Sequence, residues 1–117
     1  MLRFAASATL LAGLALGSAA CVVEDDSSLT IYNESSYTLY EVYLAEESDP
    51  TWGPNLLPQP LFPGDDLVIL DIDCGTYDVL VVDETGVECE LANLDLCLDD
   101  EGWVVDDFTL DVCAFSP

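Results

Sequence analysis

The five cysteines are the residues whose chemistry follows most directly from type and spacing. Cys21 stands alone, and the other four lie in the second half of the chain: Cys74, Cys89, Cys97 and Cys113. In a short chain that leaves the cytoplasm, an even set of cysteines is typical of a disulfide framework, because cross-links restrict the unfolded chain. Zinc is the competing interpretation, but the sequence has no CxxC pair and no histidine. We therefore predict two disulfide bonds.

A hairpin suggests how these cysteines pair. Two strand-like runs, 76–83 and 87–91, flank a short turn. If Asp83 faces Glu88, the same register continued outward places Cys74 opposite a second cysteine just beyond the other strand. A bulge or a different turn length would shift this register and leave another connectivity open. The predicted pairs are Cys74–Cys97 and Cys89–Cys113.

Carboxylates are the second group with potential chemistry, since the chain has 24 Asp and Glu residues. Calcium binds about six to eight converging oxygens, which neighbouring acidic turns could supply. The candidates for such a site are Asp65, Asp66, Asp99, Asp100 and Glu101. The sequence lacks the EF-hand pattern, and solvated turn carboxylates are the alternative interpretation. Calcium is therefore the one cofactor that the sequence suggests.

The absence of basic residues excludes several functions. Arg3 is the one Lys or Arg, and the chain has no His. Without cationic side chains, the surface would repel nucleic acids and anionic lipid headgroups. The usual general base, Schiff-base amine and carboxylate clamp are missing as well. Paired carboxylates alone can hydrolyse glycosides, but a small domain has little room for the cleft, and we expect no enzymatic activity.

The first 20 residues have the layout of a secretory signal. Arg3 precedes an apolar run at 4–16, and small residues follow at 17–20. The apolar run is shorter than the roughly 20 residues that a membrane-spanning helix needs. We therefore predict a signal peptide over residues 1–20 and an exported chain that begins at Cys21.

Cys21 is the candidate lipidation site. The segment LGSAAC that ends at this residue resembles the bacterial lipobox: Ala19, Ala20 and Cys21 match it, whereas Ser18 replaces the usual aliphatic residue. Lipidation predicts attachment to a membrane, and ordinary cleavage after Ala20 predicts a periplasmic or secreted protein. Val22 follows the cysteine where Asp would favour the inner membrane, so a lipoprotein of this type is expected at the outer membrane or cell surface.

The parts of the chain that position the cysteines and carboxylates are predicted to be short strands. An acidic tether is predicted over residues 21–28, and a single domain over 29–117. Five of the six prolines occupy a long loop at 46–64, and the apolar run 67–72 is typical of a buried strand. The predicted strands are 29–33 and 37–45 as a hairpin, then 67–72, 76–83, 87–91, 94–98, 103–105 and 108–113.

Seven or eight short strands with frequent turns, and no sustained helical period, predict an all-β fold. The expected architecture is a single antiparallel β-sandwich of immunoglobulin-like or transthyretin-like type, stapled by two disulfides. On its surface, Tyr40 and Trp52 are the candidate partner-binding anchors, although aromatic packing in the core and rim is the alternative. Asn33 begins a glycosylation sequon, which we interpret as a coincidence.

Four stretches carry a resemblance to known proteins: NESSYTLYEVYL from Asn33, WGPNLL from Trp52, LFPGD from Leu61 and CGTYDV from Cys74. Together they resemble a group of small bacterial exported domains, many from myxobacteria-like genomes. The resemblance covers about residues 29–98. It implies a β-rich fold and export, and it implies no activity.

Three hypotheses follow. The leading one is a non-enzymatic, lipid-anchored protein of the cell envelope that presents an acidic, aromatic-dotted surface to a partner. The second is a calcium-binding extracellular module. The third is a secreted accessory protein or inhibitor of a basic partner, toward which the negative charge would steer association.

Overall fold

The computed structural model describes residues 26–115, so the predicted signal peptide, Cys21 and most of the tether lie outside the described residues. The first strand begins at Ser27, two residues before the predicted boundary, and this start is attached to Asp99 by two hydrogen bonds: Ser28 N donates to Asp99 O (3.0 Å), and Asp99 N donates to Ser27 Oγ (3.1 Å). The described elements are β1 (Ser27–Glu34), β2 (Leu39–Glu46), β3 (Asp66–Ile72), β4 (Gly75–Asp83), β5 (Glu88–Leu96), β6 (Asp100–Asp106) and α1 (Asp107–Ala114).

The strands form two three-stranded sheets. The first sheet has the order β3-β1-β6 and the second sheet the order β2-β4-β5. The predicted purely antiparallel arrangement is wrong at one place, because β1 and β6 run parallel. The chain leaves β5 in the second sheet and enters the first sheet through a short corner at 97–99, which sets β6 in the direction of β1.

The predicted hairpin of 29–33 with 37–45 is also wrong, since β1 and β2 belong to different sheets. Asn33, at the end of β1, holds the bend between them. Its Nδ2 donates to the carbonyl oxygens of Tyr37 (2.8 Å) and Leu61 (2.9 Å), and its Oδ1 accepts from Ser35 Oγ (2.6 Å). These bonds satisfy a fully buried amide and direct the chain from one sheet to the other.

Residues 108–113, predicted as the last strand, form most of the helix α1. Asp106 is the N-cap, and its Oδ1 accepts from Thr109 N (2.8 Å) and Thr109 Oγ1 (2.8 Å). Such a cap satisfies amide groups that the first turn of a helix leaves without partners. The alternating sequence FTLDVC hid this signal, and the helix turns Leu110 and Cys113 toward the core.

Residues 26–115 form six strands instead of the predicted seven or eight, because the predicted strands 87–91 and 94–98 merge into β5 and the predicted strand 108–113 is helical. The strand contains a bulge at Asn93, whose φ is 60° and whose amide donates to Asp78 Oδ1 (3.0 Å). At the turn the register is one residue from the predicted one, since Asp83 N donates to Val87 O (3.0 Å). The extra residue in β5 restores the predicted register beyond the bulge.

Both predicted disulfides are present. The Cα atoms are 4.1 Å apart in Cys74–Cys97 and 5.3 Å apart in Cys89–Cys113. The first bond joins the corner between β3 and β4 to the corner between β5 and β6. The second attaches α1 to β5. Disulfides form and persist in oxidising compartments, which agrees with a location outside the cytoplasm.

One hydrophobic core lies between the two sheets. Alternate residues of β1 point inward, so Leu29 and Ile31 are fully buried. The second sheet contributes Val42, Val79 and Val81, and Leu110 of α1 closes one side. Both sheets therefore bury one face against the same cluster, and each presents its other face outward.

Candidate interaction surfaces

The acidic candidates for a calcium site lie at opposite ends of the first sheet. Asp66 pairs with Tyr32 near the end of β1, whereas Asp100 pairs with Ser28 near its start. Asp100 Oδ1 accepts a hydrogen bond from Ser28 Oγ (2.6 Å). Asp65 and Asp66 are thus separated from Asp99, Asp100 and Glu101 by most of the strand. Within residues 26–115, no three acidic, Cys or His side chains are grouped so that they could hold a metal ion.

The two aromatic candidates differ in exposure. Tyr40 lies on the edge strand β2 and is 51% exposed. Trp52 lies in the proline-rich loop and is half-buried, with its ring centroid 6.4 Å from that of Tyr43. The structure therefore places Trp52 against the second sheet, whereas Tyr40 is open to contact.

The same loop covers the edge of β2. Val42 N donates to Asn55 Oδ1 (2.9 Å), and Leu56 N donates to Val42 O (2.8 Å). Asn55 Nδ2 also donates to Tyr40 O (3.1 Å). These bonds occupy backbone groups that an open edge strand would offer to another chain.

The outer face of the second sheet, which we call the acidic face, carries carboxylates around a few apolar side chains. Tyr43 and Leu80 form cross-strand neighbours near its centre, and Glu90 pairs with Leu80 on the other side. The carboxylates on this face are Glu41, Asp78, Glu88, Glu90 and Asp95.

Tyr43 lies among the carboxylates of the acidic face. Its hydroxyl donates a hydrogen bond to Glu41, which raises the pKa of Tyr43 above its ordinary value of 10.0. Loss of water around the ring and the charges of Glu41 and Glu88 raise the pKa further. The phenol therefore stays protonated over the physiological range and acts here as a hydrogen-bond donor.

The outer face of the first sheet has a different character. Four apolar side chains from three strands point outward, and we call this surface the apolar face. The exposed fractions are 38% for Tyr32, 51% for Val68, 65% for Leu70 and 50% for Val104. The register places Thr30 between Val68 and Gly102, so that the apolar side chains lie around Thr30.

Gly102 allows the ring of Tyr32 to lie across the sheet. A Cβ atom at this position would be 2.9 Å from Cε2 of Tyr32, closer than carbon atoms approach without displacement. The glycine thus leaves space for the aromatic ring on the neighbouring strand. As a result the ring of Tyr32 covers Gly102 on the apolar face.

The apolar run at 67–72 was predicted as a buried strand, and this prediction is wrong for one of its faces. β3 is an edge strand whose Leu67 and Ile69 pack against the core, whereas Val68 and Leu70 point outward. The sequence could not separate the two cases, because every position of the run from 67 to 70 is apolar.

Two further features could bind a ligand. The helix α1 exposes Phe108 (75%) and, just after its end, Phe115 (87%). An open cleft of about 270 Å³ lies between residues 57–61 and residues 65–67. A second open cleft, of about 140 Å³, lies beside Trp52. Both are smaller than the roughly 300 to 1,000 Å³ typical of small-molecule sites. The extended outer faces are therefore better candidates than the clefts.

Two observations limit other possibilities. The side-chain amide of Asn33 is fully buried, and its Nδ2 donates two hydrogen bonds. The nitrogen to which a glycan would be attached is therefore not accessible in the folded chain. Among residues 26–115, no helix has the length and apolar character to cross a bilayer.

Comparison with known proteins informs the fold. No protein-family model and no curated protein matches the chain. A solved structure that is similar is the NMR structure of a protein from Eubacterium rectale, with 11% sequence identity and a TM-score of 0.52. The similarity covers 74% of this chain and 84% of that one. At this identity the likeness concerns the fold alone.

Proposed function

We propose that this protein is a non-enzymatic binding protein of the cell envelope, whose acidic domain engages a basic partner protein. One observation carries the proposal. All but Glu24 and Asp25 of the 24 carboxylates lie in residues 26–115, and this region contains no Lys, Arg or His. A surface with this charge is completed electrostatically by cations from outside the chain.

The charge selects among partner classes. Nucleic acids and anionic lipid headgroups are repelled, whereas a protein with a basic patch is attracted over roughly a Debye length, about 8 Å at physiological salt. Such complementarity raises association rates and favours one orientation of docking. An accessory protein or an inhibitor of a basic enzyme fits the same physical description.

The scaffold that we propose for this role is a β-sandwich of immunoglobulin-like or transthyretin-like type. Its support is the shared core between two sheets and the two disulfides, which together make a rigid body. Rigid sheets present their outer faces without the entropy cost of ordering a loop on binding.

Cys21 is the proposed membrane anchor, through acylation of its thiol after the lipobox-like segment. Replacing Cys21→Ser should move the full-length protein from the membrane fraction to the soluble periplasmic or secreted fraction, because multiple acyl chains hold a protein stably at a bilayer. Unchanged membrane fractionation of this variant would refute the anchor and leave the binding role unaffected.

Co-purification at two salt concentrations tests the binding role. The full-length protein is isolated from detergent-solubilised envelopes at about 0.05 M and about 0.5 M salt, since screening weakens contacts between exposed charges. We expect a stoichiometric partner with a basic surface at low salt and its loss at high salt. A stoichiometric acidic partner, or none at either salt concentration, would contradict the proposal.

A further inference from the structure

We infer that the apolar face of the first sheet is the docking surface for this partner, and that the partner contributes an apolar centre surrounded by Lys or Arg. The inference rests on the proposed function, from which it takes the positive charge of the partner. It goes further by naming the surface and the shape of its complement.

The first argument is the composition of β3. The run from Leu67 to Leu70 has the continuous apolar sequence of a strand covered on both sides. In the isolated domain only one side is covered, and Val68 and Leu70 are 51% and 65% exposed. Single exposed apolar residues are common, whereas here four lie together on three adjacent strands, and contiguous apolar patches are typical of interaction surfaces.

The second argument is the charge at the rim. Asp66, Glu34 and Asp100 lie on the outer side of the first sheet, at the ends of its strands, and all three are exposed. No cation from residues 26–115 can neutralise them. Charge complementarity therefore calls for basic residues in the partner at the periphery of the contact.

The same charge argues against two other occupants. A second copy of the domain would bring matching carboxylates against Asp66, Glu34 and Asp100, with no cation on either side. An anionic bilayer would be repelled for the same reason. A basic protein surface with an apolar centre satisfies both the rim and the face.

The third argument is shape. The ring of Tyr32 lies over Gly102 beside Thr30, and Val68 and Val104 lie on the two flanking strands. An apolar sheet face of this kind suits a partner that lies across the strands and packs apolar side chains on it. Such a contact has an apolar core inside a polar rim, the arrangement common to protein interfaces.

Peptide titrations test the inference on the folded protein. Three short peptides serve as probes, one alternating Lys with Val, one alternating Lys with Ser, and one alternating Glu with Val. We expect the Lys-Val peptide to bind on the order of tenfold more tightly than the Lys-Ser peptide, a difference of about 1.4 kcal/mol, as measured by calorimetry. The Glu-Val peptide should not bind measurably.

Two variants locate the site. In the triple variant Val68→Thr, Leu70→Thr and Val104→Thr, the preference for Lys-Val over Lys-Ser should fall to about one, because the apolar contact is lost while the charge is unchanged. The control variant Phe62→Thr with Phe108→Thr removes exposed apolar side chains elsewhere and should keep the preference. Circular dichroism and melting confirm that both variants fold.

The outcomes separate this inference from the proposed function. If the triple variant prefers the Lys-Val peptide over the Lys-Ser peptide as strongly as the parent does, the proposed docking surface is wrong, while the proposal of a basic partner stands. Absence of binding by either Lys peptide would overturn both. A dimer of the parent in sedimentation equilibrium that the triple variant abolishes would also overturn the inference, since the occupant would then be a second copy.

Discussion

The outer faces of the two sheets differ although their inner faces contribute to one core. The acidic face surrounds Tyr43 and Leu80 with carboxylates, and the proline-rich loop covers the edge of β2 beside it. The apolar face exposes Tyr32, Val68 and Leu70, and its carboxylates are confined to the rim. Covering the apolar face with a partner would remove these side chains from water, which is favourable.

The sheets also differ in covalent support. Cys89–Cys113 ties α1 to β5 of the second sheet, whereas no strand of the first sheet contains a cysteine. The first sheet is held by its backbone ladders, by the core, and by Cys74–Cys97, which joins the corner after β3 to the corner before β6.

The largest expected effect concerns the covalent support. Replacing Cys89→Ser together with Cys113→Ser should lower the free energy of unfolding by roughly 3 to 4 kcal/mol, as expected for a loop of this length. Urea titration followed by Trp fluorescence measures the loss. A change below about 1 kcal/mol would mean that α1 is held by packing alone and that the asymmetry of support is small.

A matched pair of leucines compares the two sides of the first sheet. Leu29 is fully buried and Leu70 is 65% exposed. Leu29→Ala should cost about 2 to 5 kcal/mol of unfolding free energy, because it leaves a cavity in the core. Leu70→Ala should change stability by about 0.5 kcal/mol or less. Similar costs at both positions would show that Leu70 is covered in the isolated domain.

Salt should stabilise the domain, because its carboxylates repel one another without any internal cation. We expect the melting temperature to rise as NaCl is added, with most of the change complete by roughly 1 M, where the Debye length is about 3 Å.

Calcium at matched ionic strength tests the alternative function. A rise specific to calcium and dependent on its concentration would support a binding site, whereas equal curves would indicate screening alone.

A smaller effect is expected at the N-terminus of α1. The backbone amide of Thr109 donates a hydrogen bond to Asp106, and this bond is the main cause that lowers the pKa of Asp106 below its ordinary value of 3.8. The hydrogen bond from the Thr109 side chain lowers the pKa further. The stability that this group contributes is therefore complete above pH 3.8 and is lost as the pH falls through its lower folded value. NMR titration of the Thr109 amide measures it. Asp106→Asn should retain the cap and abolish this titration step.

The sequence predicted the covalent framework better than the topology. The pairing of Cys74 with Cys97 is confirmed although the predicted register is one residue off at the turn, because the bulge at Asn93 restores the predicted register before the cysteines. The assignment of β1 and β2 to different sheets depends on Asn33 and its contact with Leu61, which is distant in sequence. No short window of residues contains that information.

The candidate site was less accessible to sequence reasoning. Tyr40 is exposed as expected, whereas Trp52 packs beside Tyr43. The apolar face was missed because its residues come from three separate strands, and β3 reads as buried on both sides. The parallel register of β1 with β6, which brings Val104 beside Tyr32, follows from tertiary structure alone.

Hydroxyl-radical footprinting of the protein in its native envelope tests the central claim most directly. The account predicts that Tyr32 and Leu70 react more slowly in intact envelopes than in the purified protein, and that a high-salt wash restores their reactivity. Tyr40 and Phe62, exposed elsewhere on the domain, should react equally in both preparations. Equal reactivity of Tyr32 and Leu70 in envelopes and in solution would contradict the claim that a basic partner covers the apolar face.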